Sequence, residues 1–474
     1  MHYQPMIGAG LFAGLCALFA QPALAQSSPD SAPPSPGAAS TGAGEAAPAA
    51  ALGSSATAAP ASPGDAAQAT LARLTEINRL RPMGQSTDFA GVTDSIVRDQ
   101  GGIRSALFEK GIFFDATTIH GFTQDVNGGR SPTSPQRFSG QKFTYGSSNN
   151  LRVSFRLADD GTDLTQLNVG GLYNASTWRQ LGGNQFTLTR LDLSASLFDQ
   201  KVQVTGGLGT NILNYIGIFA GGNPILANGL AGTIPIQVGL SGSVAPVPLL
   251  NVRLQGPAGL YSKTGLQRSI GPDGLVEEGF DNGIGLKLTR RGAKPLLIQE
   301  FGLQRKASAT DRQIWLRAGG IYNTTRYTRF DAPGTRKNWM LFALADYQLY
   351  QPDAKLAYRG VYVGASAMFA PDKVNVYTRT FEARTYALGM VPGRPADQMS
   401  LTFGYNKFSR PAGIAIAALG ETTNKYQASV SALYAYRASS GIYVAPSVAY
   451  IRHPSFTGDF DPAVNLSLSL SFLL

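Results

Sequence analysis

In Leu151-Arg152-Val153-Ser154-Phe155-Arg156-Leu157, polar and apolar residues alternate one for one. Trp315 and Arg317 alternate in the same way with Ile314, Leu316 and Ala318, and Asp192 sits between Leu191 and Leu193. Glu382 and Arg384 stand two apart near the middle of a similar stretch. Guanidinium forks donate several hydrogen bonds, carboxylates accept them, and an indole face covers apolar surface. Together these groups can hold a hydroxyl-rich solute through many weak contacts.

The chain lacks the groups that make and break bonds. Beyond residue 25 the only histidines are His120 and His453, and neither stands in a Ser/His/acid pattern. The stretch Thr205-Gly206-Gly207-Leu208-Gly209-Thr210-Asn211 lacks the third glycine of a nucleotide loop. Cys16 is the single cysteine, and no Cys/His cluster has metal-ligand spacing. The sequence thus predicts no catalytic residue, no cofactor, no metal site and no enzyme.

These polar groups need an element of period two to hold them. A strand sends successive side chains to opposite faces, so each stretch has one apolar and one polar face. The chain ends the same way. Leu466, Leu468, Leu470, Phe472 and Leu474 alternate with Asn465, Ser467, Ser469 and Ser471, and no charge interrupts them. Charged residues make up only 15% of the 474 residues, against about 25% in ordinary soluble domains. Outside the N-terminus no apolar run approaches the roughly 18 residues of a spanning helix. Dispersed apolar residues, few charges and period-two strands together predict a transmembrane β-barrel.

A barrel fixes which face each candidate takes. Arginine at mid-bilayer on the lipid side costs about 2–4 kcal/mol, so Arg152, Arg156, Asp192, Trp315, Arg317, Glu382 and Arg384 are expected to line the lumen. Counting back from the C-terminus, long and short connections alternate, as barrels with short periplasmic turns require. At about 20–25 residues per strand with its connection, the chain from residue 89 predicts 16 antiparallel strands, with 14 or 18 open. Tyrosines near the short connections (Tyr434, Tyr436, Tyr443, Tyr347, Tyr350, Tyr358) are expected to mark the membrane boundary. Pro446, inside a strand, predicts a bulge.

The N-terminal part divides three ways. Residues 1–25 read as a signal peptide, with an apolar stretch from Ile7 to Ala20 and Ala23-Leu24-Ala25 before the cut. Residues 26–64 are mostly Ala, Pro, Ser and Gly and predict a disordered extension. In residues 65–88, Leu71, Leu74, Ile77 and Leu80 predict one short amphipathic helix over about 66–80, capped by Asp65 and stopped by Pro82. All 40 Lys and Arg but only 28 of the 30 Asp and Glu lie in residues 65–474, giving that part a formal charge of +12. This tilts the lumen toward neutral or anionic solutes, or equips the outer surface for lipopolysaccharide phosphates. Charge this dispersed, on an exported chain, does not suit nucleic acid.

The stretch from residue 359 to 409 resembles the OprB-type carbohydrate-selective porins. It carries Arg359-Gly360, Ala370-Pro371-Asp372, Gly389, Pro392-Gly393-Arg394-Pro395 and Asp397. Residues 101–129 resemble the opening segment of that family, and residues 443–455 its penultimate strand, Pro446 included. The resemblance implies a 16-stranded barrel in the bacterial outer membrane that lets monosaccharides and polyols diffuse into the periplasm. Its expected partners are carbohydrate solutes, outer-membrane lipid and lipopolysaccharide, and the assembly machinery reading the C-terminal strand; homotrimer formation is left open. The competing reading is an envelope tether or polymer exporter using residues 26–82. A tether predicts a binding partner for that segment, and a porin predicts permeability that survives its deletion.

Overall fold

The structure, a computed structural model, describes residues 63–84, 92–128, 136–178, 184–216, 233–242 and 244–474. The expected signal peptide and nearly all of the Ala/Pro extension lie outside the described residues, as does the side chain of Asp65. The first eight strands are β1 (Ile112–Asp125), β2 (Thr144–Asp159), β3 (Leu164–Ser176), β4 (Gln185–Leu197), β5 (Val202–Gly209), β6 (Val247–Gln255), β7 (Leu260–Arg268) and β8 (Pro295–Arg305). The second eight are β9 (Ile314–Thr328), β10 (Thr335–Tyr350), β11 (Gly360–Phe369), β12 (Tyr377–Leu388), β13 (Gln398–Phe408), β14 (Tyr426–Ser439), β15 (Ile442–Arg452) and β16 (Ala463–Leu473). Each pairs antiparallel with its sequence neighbours, and β16 closes onto β1 from Thr117↔Leu473 to Asp125↔Asn465. A closed barrel leaves no unpaired edge, the condition for crossing lipid with strands.

Alternation decides the faces. On β16, Leu466 and Leu468 are exposed outward while Asn465, Ser469 and Ser471 are buried on the lumen side. The turns at 160–163, 198–201, 256–259 and 440–441 lie at one end, which the short-turn rule makes periplasmic. Around Pro446 the register differs from expectation. The ladder to β16 runs unbroken through Pro446↔Leu468, and the pairs missing opposite it belong to β14, between Leu433↔Ser447 and Tyr436↔Val444. The ring nitrogen, having no hydrogen to donate, costs two pairs on one side and no bulge. Tyr443 also departs from expectation: it is buried and faces inward, level with Arg437 and Ser471.

The N-terminal segment lies across the periplasmic end. Helix α1 (Pro63–Asn78) buries Leu74 and Ile77, with Leu80 beyond its end, against Phe108, Phe113 and Leu164. The chain then enters the lumen. The Gln166 amide donates to Leu80 O and Arg81 O, and Arg190 donates to Met83 O at 2.7 Å. From residue 92 it runs along the seam where the barrel closes. Ile96 N donates to Leu473 O at 2.8 Å, and Asp94 accepts from Arg437 Nε at 2.9 Å and from the Tyr443 hydroxyl. Helix α2 (Ile103–Glu109) follows, and its Arg104 donates to Phe114 O where β1 runs past the end of β16.

A candidate pore and its constriction

In the longest connection at the loop end, residues 210–246, the described parts 210–216, 233–242 and 244–246 lie in the lumen. It carries α3 (Ile212–Tyr215) and α4 (Thr233–Gln237). Its seat is apolar: Ile212, Tyr215, Ile216, Ile234, Val238 and Leu240 cluster with inward-facing Leu296, Ile298, Ile321, Met340, Phe342 and Leu344 of β8–β10. In a water-filled barrel those wall residues would face water, and covering them is the driving force that holds the loop down. Polar contacts fix its register. Tyr215 donates to Asn251 at 3.0 Å, Asn323 Nδ2 to Val238 O at 2.6 Å, and Val376 N to Gln237 at 2.8 Å.

All seven sequence candidates face inward, but they fall into two groups. Arg317 is 4% exposed and its fork grips the loop, donating to Tyr215 O at 2.7 Å and Ile216 O at 2.6 Å. Arg384, also 4% exposed, pairs with Asp346 through two bonds of 3.0 and 2.7 Å and with Glu382 at 2.6 Å, and donates to Ser366. Asp192 is buried as well, accepting from Arg190, Asn168 and Ser194. Arg152, Arg156 and Trp315 are only partly covered. Arg152 pairs with Asp115 across β1 and β2 by two bonds of 2.7 Å. Arg156 lies nearer the periplasmic turn, beside Asp159 and the Phe108 ring. Trp315 donates to the Tyr261 hydroxyl at 3.1 Å and carries the Arg317 guanidinium over its ring at 3.9 Å.

These groups form two bands on the wall. On β1–β5 a polar ladder runs from Asp115–Arg152 through Ser154, Asn168, Asp192 and Ser194 to Thr205, crossing between strands at Asp115–Arg152, Ser154–Asn168, Asn168–Asp192 and Ser194–Thr205, while Arg152 and Ser154 share β2 and Asp192 and Ser194 share β4. On β6–β9 lie Arg253 over the Tyr261 ring, Lys263 donating to Asn214 O, Glu300 accepting from Tyr261, and Trp315 with Arg317. Opposite the loop, β13–β16 present small groups: Ser400, Thr402, Ser429, Ser431, Ser447, Ser467, Ser469 and Ser471. The lumen is therefore asymmetric, crowded by cations and aromatics on one side and lined by short hydroxyls on the other. Sequence reasoning missed the inward loop, Lys263, Glu300, Tyr261 and Asp115.

Residues 280–473 match the model of the carbohydrate-selective porin, OprB family. Among solved structures, the high-pH form of Pseudomonas putida OprB is similar at TM-score 0.68 and 15% identity, over 80% of this chain and 98% of that one. The low-pH form is similar at TM-score 0.50 and 12% identity, over the same shares. No curated protein sequence matches. Residues 280–473 are thus similar to the carbohydrate-selective porin, OprB family, and the likeness to the solved porin extends over the fold of the whole closed sixteen-stranded barrel.

Proposed function

We propose that this chain is an outer-membrane porin through which carbohydrates diffuse passively into the periplasm. One observation carries the reading: a closed barrel of the matched family narrows at a loop that cations and aromatic rings hold against the inner wall. Diffusion needs contacts that replace a solute's water yet release it. In this reading Arg152, Arg156 and Trp315 touch the solute. Arg317, Arg384, Glu382 and Asp192 set the shape of the passage by holding the loop and wall. Monosaccharides and polyols are the proposed solutes.

Residues 1–25 are proposed as a cleaved signal peptide, and the C-terminal strand as the element read by the assembly machinery. The outward faces of β1 and β2 carry Thr118, His120, Gln124 and Asn149, whereas outward positions on β16 are Val, Leu and Phe. Polar groups at lipid-facing positions favour a protein neighbour, which supports self-association, with a homotrimer as the proposed form.

The test is liposome swelling with the purified mature protein in glucose, a disaccharide and an amino acid of glucose's size. A sugar-selective pore swells fastest in glucose and more slowly in the amino acid. Equal rates would make it a general pore, and rates no higher than protein-free liposomes would sink the diffusion reading.

A further inference from the structure

The connection between β7 and β8 spans residues 269–294. Its helix α5 (Leu275–Asp281) is tied down from inside: Glu278 accepts from Arg268 at 2.5 Å and from Gly271 N, and Leu275 is buried beside Trp178, Ile236 and Val244. After α5 the chain runs beside the top of β4, where β5 has already ended. Gln185 donates to Gly279 O, Thr187 to Gly283 O at 3.0 Å, and Leu188 N to Ile284 O at 2.8 Å. This segment thus extends the wall above β5.

Its side chains are those of a lipid-facing strand. Ile284, Leu286 and Leu288 alternate and are exposed by 64, 56 and 53%, as much as outward leucines of the barrel. A Cβ added at Gly285 would meet Thr187 Cγ2 at 3.1 Å and Leu188 O at 2.6 Å, so Gly285 is turned in against β4, and Ile284 and Leu286 turn away. Phe186 and Tyr173, outward on β4 and β3, continue the apolar patch toward the membrane. Four cations lie within and just beyond this run: Lys287 between the two leucines, then Arg290, Arg291 and Lys294. Arg290 is neutralised by Asp273 and Asp281. Lys287, Arg291 and Lys294 are exposed and make no side-chain ion pair among the described residues.

We infer that residues 284–294 form a binding site for an anionic glycolipid of the outer leaflet, acyl chains against Ile284, Leu286 and Leu288 and headgroup phosphates against Lys287, Arg291 and Lys294. Apolar side chains below and unpaired cations above match the two halves of a phosphorylated, acylated sugar lipid. A second copy of the chain is the other occupant to weigh, but of the exposed acids in this connection Asp273 and Asp281 already hold Arg290, which leaves Glu277 as one carboxylate against three unpaired cations. The inference rests on the outer-membrane reading above, and the experiment separates the two.

The protein is reconstituted in phosphatidylcholine nanodiscs with and without bisphosphorylated lipid A, re-isolated in detergent, and its retained lipid A is measured by native mass spectrometry. Swelling of liposomes is assayed on the same batches, so a failed pore and a failed lipid site are told apart. Wild type should retain lipid A. A Lys287→Glu, Arg291→Glu, Lys294→Glu variant should bind it roughly 100-fold more weakly, since each cation near an anionic surface is worth about fivefold, while swelling is unchanged. Leu286→Ser with Leu288→Ser should weaken binding without touching charge. Equal retention by the charge-reversed variant, or equal retention of lipid A stripped of its phosphates, would overturn the site. So would a Leu286→Cys photo-crosslinker that joins two protein chains in place of lipid.

Discussion

At the scale of single residues, the inner wall works by leaving side chains out. A Cβ added at Gly364 would stand 2.5 Å from Asp346 Oδ1 and 2.6 Å from Arg384 Nε, so the missing side chain is the space in which that pair lies flat. Register shows why: Asp346, Gly364 and Arg384 are directly opposed on β10, β11 and β12. Gly265 likewise leaves room for the Tyr215 hydroxyl of the inward loop. A glycine within a strand commonly marks such a close approach. Two substitutions separate holding the wall from holding the loop. Arg384→Leu strips Asp346 and Glu382 of their buried cation and should cost about 3–5 kcal/mol, read as a lower temperature for losing the folded band on unheated gels. Arg317→Lys keeps the charge but cannot fork to both Tyr215 O and Ile216 O. It should leave the barrel intact and loosen the loop, giving noisier single-channel current and faster swelling in the disaccharide. Unchanged current noise would mean that Arg317 does not hold the constriction.

At the scale of elements, the apolar seat of the loop makes the same point on a larger surface. Phe342, opposite Gly319, is 3% exposed within the cluster that covers the loop. Phe342→Ala should remove about 3 kcal/mol of packing, raising conductance while the strands stay paired. The sequence carried most of what this element needs. Strand parity placed Arg152, Arg317 and Arg384 inward because a single apolar face leaves the polar residues only one side to take. It did not reveal the loop, and the reason lies in Trp339-Met340-Leu341-Phe342-Ala343-Leu344-Ala345. That run has no polar face at all, the mark of a strand buried on both sides. Together with the apolar Thr233-Ile234-Pro235-Ile236-Gln237-Val238 in a supposed water-exposed connection, it signalled that something covers β10 from within. Which arginines stay accessible was not legible, because that depends on contacts between residues over a hundred apart, such as Arg317 with Tyr215. A turn gives a different kind of test. Burial pushes the Asp397 carboxyl up, but hydrogen bonds from Arg394, at 2.7 Å, and from Tyr434 outweigh it and hold the group below the usual carboxylate range. Because the folded value is depressed, its contribution is complete above the unfolded value of about 3.9 and is lost as pH falls through the folded one. Proteolysis at the 389–397 turn should therefore rise below about pH 4, and Asp397→Asn should show that sensitivity already at neutral pH.

At the scale of the whole molecule, the barrel is closed by hydrogen bonds but finished by the segment that precedes it. Residues 92–98 bind the ends of β14, β15 and β16 beside the β16–β1 seam, Asp94 taking Arg437 and Tyr443 and Ile96 taking Leu473 O, and Gly441, with φ of 72°, makes the turn that meets them. A Cβ there would stand 2.5 Å from Ile96 N, so the turn and the segment are fitted to each other. Leu80 to Gly84, in contrast, occupy lumen. They take up Gln166 and Arg190, polar groups that would otherwise face the solute, and a Cβ at Gly84 would lie 3.2 Å from Thr205 and 4.0 Å from Asn214 of the inward loop. The passage is thus narrowed from both ends of the chain's path, by a loop from the outer side and by the N-terminal segment from the periplasmic side. Three deletions divide these roles. Removing 26–62 should leave permeability as it is. Removing 26–84 should raise conductance and free Arg190 for solute, with the barrel still resistant to unfolding. Removing 26–98 should also lower that resistance, because Arg437, Tyr443 and Leu473 O lose their partners at the seam. If conductance is the same for the first two, residues 63–84, Leu80 to Gly84 among them, do not narrow the pore; if resistance is the same for the last two, the seam closes without residues 92–98.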